Sequence, residues 1–166
     1  MSSEPHSPPE ITVAGVIHSG GRFLIVEEII DRQRVFNQPA GHVEPGETLL
    51  AAVVREVREE TAWGFAPQEL LGVYLLRHTG TVRSTLRFAF TGAVSDHDPG
   101  QPLDSAIVRT HWLSREQLQE RERELRSPLV LRCIDDFLGG QRLPLEAVAG
   151  LNLSTAGATT IPAVIL

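Results

Sequence analysis

The order of apolar and polar positions along the chain predicts β-strands on both sides of one long helix. Residues 11–18 and 23–28 are rich in β-branched and aromatic side chains, as strands are. The SGGR segment between them is typical of a hairpin turn, because glycine adopts positive φ without strain. A third extended segment around residues 34–36 leads into a loop at 37–41, indicated by its proline and glycine.

Residues 48–61 contain neither proline nor glycine and consist mainly of good helix formers, so they predict one helix of about four turns. The remainder of the chain predicts, in order, strands at 70–77, 82–94 and 108–112, a helix at 114–126 that begins with a capping box, and a helix at 127–138 that begins with Ser-Pro. Strands, a long helix, more strands and two final helices indicate an α+β fold, an α/β/α sandwich with a mixed or antiparallel sheet.

The domain organisation that we expect is a single domain with two short extensions. A length of 166 residues is that of one domain with one core. Residues 1–10, with three prolines and three serines, predict a flexible leader. The domain should span residues 11–146. Residues 147–166 lack a clear period, so they are either a mobile tail or an extended strand that packs on a neighbour.

Composition excludes several classes of function. All fifteen cationic side chains are arginines, which excludes Schiff-base chemistry on lysine and any P-loop. The net charge of −6 argues against nucleic acid as a partner. Cys133 is the single cysteine, so neither an internal disulfide nor a cysteine-rich zinc site is possible. No apolar stretch reaches membrane-spanning length, and we expect a cytoplasmic protein with no membrane partner.

Candidate chemistry lies on the predicted central helix. At about 100° per residue, Glu56, Glu59 and Glu60 fall on one side of it and continue the mainly apolar stripe of the preceding turns. Like charges at this spacing repel, and the single positive charge of Arg55 cannot compensate these three glutamates together with Glu47. Clustered hard oxygen ligands suit Mg²⁺ or Mn²⁺. Helical geometry alone leaves two interpretations open, a metal site and a solvated charged face.

The same residues carry a family resemblance. The pattern Gly41-x5-Glu47-x7-Arg55-Glu56-Val57-x-Glu59-Glu60-x-Ala62-Trp63 resembles the signature of the Nudix hydrolases. One departure is Ala62, where the family pattern usually has glycine. Gly64 is therefore a candidate for the exit of the helix, and the last turn is the part of the pattern that this departure affects.

The resemblance implies a three-layer α/β/α fold in which residues 41–63 hold a divalent metal, Mg²⁺ with Mn²⁺ as a substitute, against the diphosphate of a substrate. By similarity, Glu59 and Glu60 are the principal metal ligands. Glu56 is a further ligand or the base that activates water. The backbone carbonyl of Ala40 is another candidate ligand. Such a metal neutralises phosphate charge and lowers the pKa of bound water.

The resemblance also implies supporting roles. Arg55 would orient the glutamates, and Glu47 would pair within the motif or complete a metal shell. Three residues next to the motif are candidates for substrate contacts: Arg34 and Gln38 precede it, and His42 follows its first glycine. For His42 the alternative is a hydrogen-bonded structural position in the loop.

Sequences flanking the motif resemble a bacterial phosphatase branch of the family, over about residues 11–146. That resemblance implies release of phosphate from nucleoside tri- and diphosphates, hydroxymethylpyrimidine pyrophosphate and thiamine pyrophosphate. The alternatives are a pyrophosphatase for ADP-ribose or dinucleoside polyphosphates, and a non-catalytic nucleotide-binding domain. Asp104 is either one more carboxylate of the site or a turn residue. Both a monomer and a homodimer remain open.

Overall fold

The structure is a computed structural model that describes residues 8–148 and the backbone of residues 151–154 and 157–160. Its strands are β1 (Glu10–Val16), β2 (His18–Ser19), β3 (Arg22–Ile30), β4 (Gln33–Asn37), β5 (Ala40–His42), β6 (Gly64–Arg77), β7 (Ser84–Ser95), β8 (Ile107–Leu113), β9 (Leu151–Ser154) and β10 (Gly157–Thr160). The helices are α1 (Leu49–Thr61), α2 (Arg115–Glu120) and α3 (Leu129–Leu138), with 3₁₀ turns at Glu122–Glu124 and Leu145–Val148.

Two sheets form the centre of the domain. The first has the strand order β5-β1-β7-β6, in which β1 and β7 are parallel and the other neighbours antiparallel. In the second sheet, β3 pairs antiparallel with β2, β4 and β8. The predicted mixed sheet is therefore confirmed.

Helices cover the sheets from both sides. Helix α1 packs on β1, β5 and β6, where Val53 and Val57 join a cluster with Val13 and Phe90. Helices α2 and α3 lie over a second buried cluster that contains Cys133. The predicted α/β/α arrangement is confirmed, and Cys133 is a buried core residue rather than a reactive thiol.

Several predicted boundaries need correction. The segment predicted as a loop at 37–41 contains a short strand, β5, whose backbone pairs with β1. Strand β6 begins at Gly64, six residues before the predicted start at residue 70. The helix predicted at 114–126 ends at Glu120 and continues as a 3₁₀ turn. The capping box of Ser114 and Gln117 is present as predicted.

The predicted extensions are only partly covered. Residues 1–7 of the predicted leader and residues 149–150, 155–156 and 161–166 of the predicted tail lie outside the described residues. Within the tail, β9 and β10 pair antiparallel. No helix of the described part is both long and apolar enough to cross a membrane.

Candidate active site

Helix α1 places the predicted glutamates against the β5 segment. The Thr48 hydroxyl accepts a hydrogen bond from the Ala51 N–H and starts the helix, and Ala62 ends it in the left-handed conformation with φ of 57°. Its N–H donates to the Arg58 carbonyl. The expectation that Gly64 takes over the helix exit is therefore wrong, because Ala62 adopts the conformation that the family's glycine would occupy.

Arg55 connects the acidic side chains of the motif. Its guanidinium donates to both carboxylate oxygens of Glu47 at 2.9 Å, to Glu56 at 2.7 Å and to Glu59 at 3.1 Å. A further N–H donates to the His42 carbonyl at 2.9 Å. Only the planar five-donor fork of arginine can serve so many acceptors in fixed directions. These bonds lower the pKa of Glu47 and keep that carboxylate ionised.

Glu56 lies directly under the backbone of Gly41. Its side chain belongs to a residue that is 7% exposed, and a Cβ atom at position 41 would overlap its carboxylate. Burial raises the pKa of Glu56, while the Arg55 bond opposes the rise and the charges of Glu59 and Asp104 add to it. The motif glycine is thus needed for a close approach between a carboxylate and the main chain.

Glu60 is the most perturbed acid of the site. Burial raises its pKa to about 9, although the Ala40 N–H donates to its Oε2 at 2.8 Å and favours the ionised form. The negative charges of Glu28, Glu56 and Asp104 raise the pKa further. A cation placed among these groups would lower the pKa of Glu60, because it would favour the ionised carboxylate and offset the neighbouring negative charges.

Two further acids lie near this cluster: Glu28, which was not predicted from the sequence, and Asp104, for which the sequence left a site carboxylate and a turn residue open. Glu28, on β3, is 9% exposed, and Asp104 donates its backbone N–H to the Glu59 carbonyl at 3.0 Å. The carbonyl of Asp104 also closes a turn with the Ile107 N–H, so Asp104 is both a turn residue and a neighbour of the glutamates. The sequence signal for Glu28 is an acidic pair, Glu27-Glu28, inside an otherwise apolar strand.

The chemistry of these donors fits a hard divalent cation, since carboxylate oxygens crowd together in a partly dehydrated region. Among the described residues, no three acidic, histidine or cysteine side chains yet converge as a complete cage. In this arrangement Arg55 bonds to oxygens of Glu56 and Glu59, and the Ala40 N–H bonds to Glu60. Glu59, with a side chain 43% exposed, has the most freedom to reorient.

A cavity of about 610 Å³ adjoins the acidic cluster. Ala40, Gly41 and Glu28 separate it from the glutamates of α1, and it extends between the first sheet and the start of α3. Its volume falls within the range of small-molecule sites. The arginines that line it are Arg77, Arg83, Arg87 and Arg126.

The three predicted substrate contacts have different positions. His42 lines the cavity and is exposed. Arg34 does not line it: its side chain pairs with Glu27 at 3.1 Å in a second, smaller cavity. Gln38 is buried and donates to the Val130 carbonyl at 2.8 Å, so it joins the motif loop to α3 instead of lining the cavity.

Comparisons with known proteins agree with this geometry. The family profile described as NUDIX domain matches residues 7–133. The phosphatase NudJ of Escherichia coli (strain K12) is 40% identical over 144 residues, which cover 87% of this chain and 93% of that protein. A NUDIX hydrolase structure from Nitrosomonas europaea is 41% identical, with a TM-score of 0.84, and covers 86% of this chain and 97% of its own. The NUDIX domain of Shewanella oneidensis NrtR, solved in complex with ADP ribose, is 17% identical with a TM-score of 0.63 over 83% of this chain and 93% of its own, a likeness of fold.

Proposed function

The chain belongs to the Nudix hydrolase family, and from this premise we propose that it hydrolyses phosphoanhydride bonds in small organic pyrophosphates with a divalent metal bound at α1. It is a hydrolase. The observation that carries the finer proposal is that Arg55 bonds to Glu56 and Glu59 while the Ala40 N–H bonds to Glu60, next to a cavity lined by arginines.

The proposed metal ligands are Glu59 and Glu60, with Glu56 as a further ligand or as the base and the Ala40 carbonyl as another candidate. Nudix hydrolases generally use divalent ions, and we propose Mg²⁺ with Mn²⁺ as a substitute. When bound, the ion supplies charge neutralisation on phosphate and a water of lowered pKa. Burial of Glu56 and Glu60 supports this assignment, because buried carboxylates without a cation are unfavourable.

The chain's own side chains supply positioning. Arg55 holds Glu47 and Glu56 in fixed directions, so the acids stay aligned while a substrate exchanges. Arg77, Arg83 and Arg126 in the cavity attract a diphosphate, and His42 at the rim is a candidate contact. Orientation of this kind is the main protein contribution to phosphoryl transfer.

The proposed substrates are those of the phosphatase branch: nucleoside tri- and diphosphates, hydroxymethylpyrimidine pyrophosphate and thiamine pyrophosphate. Identity of 40% over most of both chains to a phosphatase NudJ supports this class. A cytoplasmic location and the oligomeric state stay predictions.

The decisive experiment measures orthophosphate release from these compounds and from ADP-ribose, with Mg²⁺, with Mn²⁺ and with EDTA. We expect metal-dependent orthophosphate from the pyrophosphates. Cleavage of ADP-ribose alone would keep the metal chemistry and overturn the substrate class. Absence of product from every compound would overturn the enzymatic proposal in favour of a nucleotide-binding domain.

The matched variant is Glu60→Gln, compared with Glu120→Gln on the exposed surface of α2. Glu60→Gln should lower kcat at least about a hundredfold, because even residues behind metal ligands contribute 10- to 100-fold. Circular dichroism should show an intact fold, since a neutral amide replaces an acid whose pKa is raised to about 9. Full activity of Glu60→Gln would remove Glu60 from the proposed metal site.

A further inference from the structure

Arg87, in the middle of β7, is a buried cation whose donors lack partners. It is 7% exposed, and neither its Nε nor its Nη1 has a hydrogen-bond partner in the described part of the chain. Burial lowers the pKa of Arg87. A buried guanidinium with free N–H groups is costly, and buried polar groups in folded proteins almost always have a hydrogen-bond partner.

Three further polar atoms without partners line the same cavity. They are the Thr12 hydroxyl, Glu28 Oε1 and Asn37 Oδ1, and their residues are 6%, 9% and 4% exposed. Thr12 lies beside Arg87 in the parallel register of β1 and β7. The cavity interior therefore presents free N–H donors at Arg87, free oxygen acceptors at Glu28 and Asn37, and a hydroxyl that can do either.

We propose that Arg87, Thr12, Glu28 and Asn37 form a subsite for the amino-substituted heteroaromatic ring of the substrate, an aminopyrimidine being the simplest example. This inference rests on the proposed function and names the part of the substrate that the cavity selects. A ring nitrogen of such a ligand accepts from Arg87, while its exocyclic amino group donates to Glu28 or Asn37. Adjacent donor and acceptor groups on one rigid plane match the mixed set in the cavity.

A phosphate at the same position satisfies the set less well. Ionised phosphate oxygens only accept hydrogen bonds, so they would match Arg87 and leave the acceptors at Glu28 and Asn37 without donors. The other arginines of the cavity are different, since Arg83 pairs with Glu10 and Arg126 is exposed at the surface. Arginines at the solvated edge suit the diphosphate, and the dry interior suits the ring.

The subsite also has a definite relation to the acidic cluster. Glu28 lines the cavity, and the Ala40 backbone beside it donates its N–H to Glu60 Oε2 at 2.8 Å. Ala40 and Gly41 line the same cavity. A ring held at Arg87 thus keeps the attached diphosphate within the region between the glutamates and the cavity arginines.

The first test compares two pyrophosphates that differ only in ring chemistry. Hydroxymethylpyrimidine pyrophosphate carries ring nitrogens and an amino group, whereas benzyl pyrophosphate has a methylene-linked diphosphate on a ring without them. For Arg87→Met, the ratio of kcat/KM between the two should fall about tenfold to a hundredfold, the effect of a lost hydrogen bond to a charged group. The control Arg83→Met, a paired arginine of the same cavity, should keep the wild-type ratio.

Equal losses of kcat/KM on both substrates would mean that Arg87 binds phosphate, and unchanged kcat/KM on both would mean that it contacts neither part of the substrate. Either result overturns the proposal. Thr12→Val provides a second variant in case Arg87→Met does not fold, because it preserves shape and removes only a buried hydroxyl without a partner. Thr79→Val, at an exposed position of the cavity, is its control.

The second measurement does not depend on catalysis. Calorimetry with free hydroxymethylpyrimidine, which has no phosphate, is performed on metal-free protein in EDTA. Saturable binding that weakens about fivefold in Thr12→Val and not in Thr79→Val supports the subsite, even if the wild type releases no phosphate from any substrate. Absence of binding to the wild type overturns the subsite, even if the hydrolase proposal holds.

Discussion

Gly41 determines where the Glu56 carboxylate lies, because the absence of a Cβ atom at position 41 leaves room for it. A Cβ at position 41 would overlap the carboxylate of Glu56, and the atoms it meets are the far end of a flexible side chain. Substitution would therefore displace the carboxylate and leave the surrounding backbone largely in place. The glycine is required for the position of a functional group more than for folding.

We therefore predict that Gly41→Ala lowers kcat/KM about a hundredfold, as a displacement of about 1 Å in a catalytic group does. The free energy of unfolding should change by less than about 1 kcal/mol, because the flexible carboxylate can move. Steady-state kinetics and urea denaturation measure the two quantities. Gly100→Ala is a matched control, since its Cβ would meet only ordinary contacts. Wild-type activity in Gly41→Ala would show that the position of Glu56 does not matter for turnover.

Prediction from sequence worked for residues on one helix and failed for residues that only the tertiary fold brings together. Glu56, Glu59 and Glu60 share a side of α1, and a helical wheel shows this directly. Glu28 and Arg87 reach the cavity from two sheets, and each lies within a strand that is rich in apolar residues. Sequence periodicity does not state which sheet face meets a cavity.

At the scale of elements, the residues of α1 that stabilise the helix and those proposed to act in catalysis lie in different turns. Its first turn contains the Thr48 cap, and its acids lie from Glu56 onward, two turns later. The C-terminal end is strained, because Ala62 adopts a positive φ that costs an L-residue roughly 1–2 kcal/mol. Ala62 is buried, and its packed methyl group offsets part of that cost.

The Thr48 cap of α1 leads to a prediction about stability and not about activity. Thr48→Ala should lower the free energy of unfolding by about 1 kcal/mol, because the Ala51 N–H loses its acceptor. Thr48→Ser should retain most of the stability, since a serine hydroxyl accepts the same bond. We expect kcat/KM to be unchanged in both, as measured beside a denaturation curve. A large loss of turnover in Thr48→Ala would mean that the first turn helps to position the acids.

Element boundaries that the sequence placed wrongly have physical causes. Strand β5 is three residues long and has no period of its own; its pairing with β1 creates it. Strand β6 contains Pro67, which usually argues against a strand, but β6 is an edge strand and its register shifts next to that proline. Long periodic segments such as α1 were predictable because they satisfy their hydrogen bonds internally.

At the scale of the whole molecule, folding brings acidic side chains together and thereby disfavours their ionisation. Acids from β3, from α1 and from the loop before β8 come together only in the folded chain. In the unfolded chain each is solvated and far from the others. The metal-free fold therefore resists ionisation of Glu60, and a dication bound at the proposed site would lower that resistance.

This resistance to ionisation predicts the pH dependence of stability without metal. The pKa of Glu60 is about 9 in the folded chain against an ordinary value near 4.5, so between these values the folded state holds more proton than the unfolded state. The free energy of unfolding should then fall as pH rises from 5 to 9, by at most about 1.4 kcal/mol per pH unit from this group. Glu60→Gln cannot ionise and should lack this contribution.

The measurement is urea denaturation of the wild type and Glu60→Gln in EDTA at several pH values, followed by the same series with Mg²⁺. In EDTA the difference between the two proteins should widen with pH, to the disadvantage of the wild type. With Mg²⁺ it should shrink or reverse, because metal binding requires ionised ligands and stabilises only the folded wild type. Parallel curves in EDTA would show that Glu60 is ionised in the metal-free fold. If Mg²⁺ left the difference in unfolding free energy between the two proteins unchanged, Glu60 would be buried and perturbed without being a metal ligand. That outcome would contradict the proposed metal site.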